Sequence, residues 1–316
     1  MNDPVIALHH LSKSYGNVHA VQDLSLTIEA GTIFGFLGPN GAGKTTTMRM
    51  LCGLTHPTSG RATIEGLDTW KERQKLRTKF GYVPQSFSLY RDLTVLENFR
   101  FFAGAYNVAG AQLEERIDRL LQVIDLEGKK RATADNLSGG MRQLLAIGCA
   151  LVHDPSVLFL DEPTRGLDPV HRQQIWNLLY DLSNEGKTIF VTTHYMDEAE
   201  RCTEVGFIEN GRLLAKASPR ALKDSFRAHL LEIDVEPLMP ALVRLRDMPE
   251  VLGVSLRSGS LRLYTPEAEQ LMARWRDNWP FPDLKLLGER WVQPDMEDVF
   301  TAYSQRYDGV LKRSES

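Results

Sequence analysis

Cysteine is scarce in this chain of 316 residues: Cys52, Cys149 and Cys202 are the only three, far apart and without a CxxC pair. That spacing supports neither a zinc site nor a disulfide framework and suits a reducing compartment. Long hydrophobic runs are also missing. The longest apolar stretch, residues 144–152, falls well short of the ~20 residues that cross a bilayer. A membrane process served by this chain needs another chain to span the membrane. No basic excess is present either: the formal net charge is −4, so no overall field draws in nucleic acid or anionic lipid. The start, Met1-Asn2-Asp3-Pro4, lacks the basic and then apolar run of a secretory signal. What remains is ordinary globular composition, with 42% apolar and 25% charged residues, in a chain long enough for two domains.

The strongest local pattern is Gly38-Pro39-Asn40-Gly41-Ala42-Gly43-Lys44-Thr45-Thr46. An apolar stretch, residues 32–37, precedes it as a buried strand, and residues 46–54 follow as a helix with Gly53 near its end. Strand, glycine-rich loop and helix start are the context of a phosphate loop. Gly38, Gly41 and Gly43 permit a backbone path that β-carbons would obstruct. The loop amides and the helix N-terminus then form an anion site. Lys44 suits the β- and γ-phosphates, and the Thr45 hydroxyl suits Mg²⁺. A nucleoside triphosphate site follows.

Upstream, residues 5–28 alternate as two antiparallel strands around a turn at residues 12–16 that carries Tyr15. Tyr15 suits stacking on an adenine ring, although a turn tyrosine is the plainer reading. Downstream, residues 81–85 form a short strand that proline ends, with Gln85 at its exit. Residues 86–150 read as mainly helical, with a capping box at Thr94–Glu97. Ser138-Gly139-Gly140 opens an apolar helix and is a second candidate anion site, although the same residues make a plain helix start. Residues 157–160 form a continuous apolar strand ending in Asp161 and Glu162, where α/β sheets place their chemistry. Asp161 fits Mg²⁺ organisation; Glu162 fits activation of an attacking water. Asp168-Pro169 starts the next helix, and His194 ends the following buried strand, placed for a γ-phosphate contact.

In this order the pieces resemble an ATP-binding-cassette (ABC) transporter ATPase over about residues 4–220, chiefly through Leu137-Ser138-Gly139-Gly140 between the two phosphate-site motifs. The resemblance implies a RecA-like parallel core, an antiparallel β subdomain and a helical subdomain at about 86–150, within a cassette ending near residue 221. It implies ATP and Mg²⁺ as ligands, Glu162 as catalytic base, and His194 as the switch histidine. Gln85 would touch Mg²⁺ and link to the permease, and Asp168 would be the D-loop aspartate. Tyr15 would stack on adenine. Arg165 stands before Gly166-Leu167-Asp168, where the family often has Ser or Asn. A head-to-tail homodimer, or a dimer with a related subunit, is implied. Ser138 and Gly140 of one copy would then meet the γ-phosphate held by Lys44 of the other. A cytoplasmic, peripheral location on the inner membrane face, beside a separate permease, follows from the same resemblance. A cassette ATPase acting on nucleic acid or ribosomes is the alternative, as is an ATP-gated interaction module. The first usually carries paired cassettes, a coiled coil or basic patches, none of which stands out here, so no nucleic acid partner is expected.

Residues 222–310 change pattern to a βαββαβ order, a small α+β ferredoxin-like domain, followed by a helix that Asp295 caps. No aromatic cluster with basic neighbours marks it as an RNA module. It resembles the C-terminal extension of drug-exporter-type ABC ATPases, which is associated with dimer contacts or regulation. Residues 311–316 read as a polar tail.

Overall fold

The computed structural model describes residues 4–86, 88–305, 307, 310 and 311, with residues 111 and 112 described by backbone alone. Residues 312–316 of the expected tail lie outside the described residues. The chain divides between Lys216 and Ala217 into two compact units.

The first unit opens with β1 (Ile6–Tyr15) and β2 (Val18–Ile28), antiparallel with Ile6 opposite Ile28 and Tyr15 opposite Val18. The turn expected at residues 12–16 is therefore strand as far as Tyr15. Three register shifts between Leu8 and Ser14 absorb its polar residues, and the reversal narrows to Gly16, at φ +57°, and Asn17. Next come β3 (Ile33–Leu37), α1 (Lys44–Leu51), β4 (Ser59–Ile64), β5 (Leu67–Asp68), α2 (Arg73–Leu76) and β6 (Phe80–Val83). Three helices follow, α3 (Val95–Ala105), α4 (Ala111–Val123) and α5 (Gly139–Leu151). The unit closes with β7 (Val157–Asp161), α6 (Pro169–Asn184), β8 (Thr188–Thr193), β9 (Glu204–Glu209) and β10 (Arg212–Ala217).

Two sheets result. One is antiparallel, in the order β2-β1-β4-β5; the other runs β10-β9-β3-β8-β7-β6, with β9, β3, β8, β7 and β6 joined in parallel. Every residue of β3, β7 and β8 is buried, which is why these strands read as unbroken apolar runs. Phe190 lies at the centre, with its ring centroid 5.3 Å from Phe34, 5.5 Å from Phe36 and 5.7 Å from Phe159. Parallel register has a functional consequence. Leu37 pairs with Thr193 and Asp161 with Thr192, so the exits of β3, β7 and β8 share one edge of the sheet.

The capping box expected at Thr94 is present: its side chain accepts from Glu97 N, and the Glu97 carboxylate accepts from Thr94 N. Beside it lies a fully buried amide that the sequence did not flag. Asn98 Nδ2 donates to the carbonyls of Tyr90 (3.0 Å), Leu93 (3.2 Å) and Thr94 (3.0 Å), and its Oδ1 accepts from Tyr90 N at 3.0 Å. One side chain thus satisfies the loop that enters α3. Asn98→Ala removes all four bonds; the carbonyls of Tyr90, Leu93 and Thr94 keep backbone donors in Leu93 N, Ala134 N and residue 98 N, so the loss falls mainly on Tyr90 N, and the expected destabilisation is about 1–2 kcal/mol. Denaturant unfolding measures this, and limited proteolysis should show earlier cleavage at residues 88–94.

The second unit begins with α7 (Pro219–Asp224), capped by Ser218 and spanning the break expected at residue 221. It continues through β11 (His229–Glu236), α8 (Leu238–Arg246), β12 (Gly253–Arg257), β13 (Ser260–Thr265), α9 (Ala268–Asp277), β14 (Lys285–Val292) and α10 (Met296–Gln305). Its antiparallel sheet has the order β12-β13-β11-β14, as expected for the βαββαβ pattern. Alternate residues Leu231, Ile233 and Val235 of β11 join Leu271 and Trp275 of α9 in the core. On the other face Arg262 bonds Glu232 at 2.9 Å and also holds Asp298, tying the sheet to α10. Asp295 caps α10 by accepting from Glu297 N and Asp298 N.

Candidate functional site

The loop after β3 needs its glycines for different reasons. A Cβ on Gly38 would lie 2.0 Å from the Ile208 carbonyl oxygen, so there the backbone approaches too closely for any side chain. Gly41 has open space but sits at φ +80°. Gly43 has both constraints, with φ +106° and the Ala20 oxygen at 2.5 Å. Pro39 O accepts from Ala42 N, and Gly211 N donates to Ala42 O, fixing the loop over the sheet edge.

Lys44, the first residue of α1, turns back beneath this loop. Its Nζ donates to the carbonyls of Gly38 (2.7 Å) and Pro39 (3.0 Å) and lies 3.7 Å from Glu162 Oε1. The side chain is 5% exposed. Burial pulls its pKa down, while the carboxylates of Glu162 and Asp161 oppose that fall.

Asp161 ends β7. Its Oδ1 accepts from Thr192 Oγ1 at 2.6 Å and from Thr45 Oγ1 at 3.2 Å, while its Oδ2 is buried without a protein partner. A buried carboxylate oxygen in that condition is costly unless a cation or water meets it. Among the described residues no cluster of three or more His, Cys, Asp or Glu could hold a metal ion. Mg²⁺ does not need one: it keeps several waters and takes a few oxygen ligands from protein and phosphate. Thr45 and Asp161 supply that partial set, so the residues fit the ion.

Glu162 follows at φ +50°, so the strand ends at Asp161 and the two carboxylates part through a left-handed residue rather than by strand alternation. The turn is held by Glu162 N, which donates to Thr192 O at 3.1 Å and Thr192 Oγ1 at 3.0 Å. Its carboxylate, 8% exposed as a residue, accepts from Gln85 Nε2 at 2.9 Å and from Arg165 Nη1 at 3.4 Å. His194 Nδ1 lies 3.3 Å from Glu162 Oε2 but without hydrogen-bond alignment, and has no other partner. A cleft of about 310 Å³ is lined by Lys44, Thr45, Thr46, Gln85, Glu162 and Arg165, with loop residues Asn40, Gly41 and Gly43.

The remaining candidates lie off this cleft's wall. Tyr15 is half exposed at the end of β1, with the Lys13 ammonium 4.9 Å above its ring. Ser138 caps α5, accepting from Met141 N at 3.2 Å, and Gly139 and Gly140 form the first turn. Asp168 caps α6, accepting from Val170 N and His171 N, and a further hydrogen bond from His171 holds its carboxyl below the usual carboxylate range. The lining of the cleft includes none of Ser138, Gly139, Gly140 or Asp168.

Three participants were not assigned a place in the site from the sequence. Thr192 bonds both Asp161 and the Glu162 backbone, and its signal is its place two residues before His194 on the neighbouring strand. Arg165 lines the cleft rather than merely varying the D-loop. His171 stands three residues after the Asp168 cap, a spacing that brings the two side chains together across the first helical turn.

A phosphate loop at the edge of a parallel sheet, with two carboxylates on the adjoining strand exit, defines a P-loop nucleotide-binding protein. The family model described as ABC transporter matches residues 21–165. The probable multidrug ABC transporter ATP-binding protein YbhF of Escherichia coli (strain K12) is 43% identical over 221 residues. That match covers 70% of this chain, which spans only 38% of the relative's own length. Nod factor export ATP-binding protein I of Rhizobium leguminosarum bv. viciae is 40% identical over 306 residues, covering 95% of each chain. The solved dimeric structure of MJ0796, a bacterial ABC transporter cassette, matches with a TM-score of 0.62 and 31% identity, over 67% of this chain and 98% of that one. The chain belongs to the ABC transporter family and carries its ATP-binding cassette.

Proposed function

We propose that this chain hydrolyses ATP to power export of a substrate through a separate membrane-spanning permease. The observation that carries the reading is that Lys44 and Thr45 of α1 and Glu162 line one cleft, with Asp161 of β7 bonded to Thr45. Similarity to proteins named for multidrug transport and Nod factor export supports the direction of transport. Among the described residues no helix is long and apolar enough to cross a membrane. The permease is accordingly assigned to another chain, and the ATPase to the inner membrane face beside it.

ATP is the substrate. The amides of residues 40–46 and the Lys44 ammonium bind its phosphates, and Tyr15 stacks on adenine. Thr45, Asp161 and Gln85 would hold Mg²⁺, which when bound would neutralise phosphate charge. Lys44 has three donors, two of them already on Gly38 and Pro39. The third lies toward Glu162, so an arriving phosphate takes the place of that carboxylate at the ammonium. Glu162 is then free to accept a proton from water, with Gln85 and Thr192 fixing its position and His194 at the γ-phosphate. Ser138, Gly139 and Gly140 of a second copy close over the same phosphate, with Asp168 at the seam. The dimeric state of the related MJ0796 cassette supports that arrangement. Loss of the shared anion on hydrolysis loosens the pair and converts chemistry into movement. The second unit is assigned a supporting role in self-association. Unchanged association after removal of residues 222–316 would remove that role.

Purification of tagged protein from detergent-extracted membranes tests the reading. The expected result is a co-purifying membrane-spanning protein and Mg²⁺-dependent phosphate release. Recovery with ribosomes or nucleic acid in place of a membrane protein would overturn it.

A further inference from the structure

We propose that His171 is a positioning residue for the signature turn: its imidazole links the Asp168 cap of α6 to Ser138 and sets the direction of the Ser138 hydroxyl. The inference rests on the reading above that Ser138 meets the triphosphate of a partner copy.

His171 Nδ1 lies 2.5 Å from Asp168 Oδ2, and its Nε2 lies 3.4 Å from Ser138 Oγ. An ionised carboxylate only accepts hydrogen bonds, so Nδ1 carries the proton of that pair. In the neutral ring Nε2 is then the acceptor, and the Ser138 hydroxyl donates to it. The oxygen of that hydroxyl already accepts from Met141 N at 3.2 Å. Both functions of the serine are therefore assigned: its lone pair caps α5 and its proton points at the ring.

Gly140 supplies an independent observation. A Cβ there would lie 2.0 Å from His171 Cδ2 and 2.1 Å from Cγ. Gly140 is not in the left-handed region, so its backbone does not demand glycine. The imidazole occupies the space of the missing side chain. Ring, glycine and serine thus form one packed block, and the D-loop cap is joined through it to the turn that must face the phosphate. A long, directional contact at Nε2 holds the serine in its rotamer yet gives way easily when a stronger acceptor arrives, because charge-assisted bonds to phosphate outrank neutral ones.

The test is ATP-driven self-association of the full chain carrying Glu162→Gln, compared with the same chain also carrying His171→Ala or His171→Gln. Glutamine places an acceptor near the position of Nε2; alanine does not. The expected result is an apparent dissociation constant raised about tenfold by alanine, the cost of ordering a serine turn that the ring no longer packs against and holds in its rotamer. Glutamine should restore most of the loss. ADP affinity of the single chain should stay within about twofold in all three, because the phosphate loop is a separate site. Equal association of the alanine variant and its parent would overturn the inference. So would equal impairment by alanine and glutamine, or a parallel loss of ADP affinity. A parent that fails to associate with ATP is a different outcome: it rejects the paired-copy reading itself, and this inference with it.

Discussion

Glu162→Gln is expected to bind ATP like the native chain while releasing phosphate at least about 10²-fold more slowly, the usual contribution of a positioned general base. The substitution keeps the shape of the side chain and removes its basicity. It leaves the backbone anchors to Thr192 in place, and the new amide oxygen still accepts from Gln85. It also removes the negative charge 3.7 Å from Lys44, so a bound triphosphate no longer competes with a carboxylate for that ammonium. Binding should hold or tighten while chemistry stops, and the nucleotide-bound pair should accumulate. Phosphate release and size-exclusion chromatography with ATP and Mg²⁺ measure the two effects. Native turnover in the variant would take Glu162 out of the reaction.

Lys44→Met is expected to lower ATP affinity about 10²-fold or more and to abolish turnover. A charge-assisted hydrogen bond to phosphate is worth about 1.5–3 kcal/mol, and the ammonium charge adds its attraction for the triphosphate to the one free donor. Methionine retains the length and apolar stem of a side chain that is 5% exposed, so packing under the loop survives. What is lost is the cation that faces both Asp161 and Glu162 and bonds Gly38 and Pro39. Nucleotide titration followed by fluorescence gives the affinity. A value within about threefold of the native one would assign phosphate binding to the loop amides alone.

The two variants differ in kind, and the sequence shows why both residues were legible. Buried parallel strands announce themselves as apolar runs, and the residue that breaks such a run at its C-terminal end is placed at the sheet edge by topology alone. Asp161, Glu162 and His194 stand at such breaks, and Lys44 follows one through the glycine-rich loop. The βαββαβ order of the second unit was likewise readable, because each amphipathic element there keeps its own period. Features that depend on register or on a contact across the fold were not. Strand pairing carries β1 through Ser12–Tyr15 against the local turn signal. Asn98 looks like any polar residue of a helix until its amide is seen closing the Tyr90–Thr94 loop. Thr192 acquires a role only through its pairing with Asp161 across two strands. His171 needed the packing of α6 against α5, which no spacing in the sequence specifies.

Central to the proposed function is that one copy would hold the phosphate loop while another would supply the serine turn. Steady-state phosphate release per chain, followed across protein concentrations alongside the molecular mass in ATP and Mg²⁺, is the most direct measurement. Activity should appear with the mass of a pair and fade as that species dissociates on dilution. Full activity in a species with the mass of a single chain would contradict it.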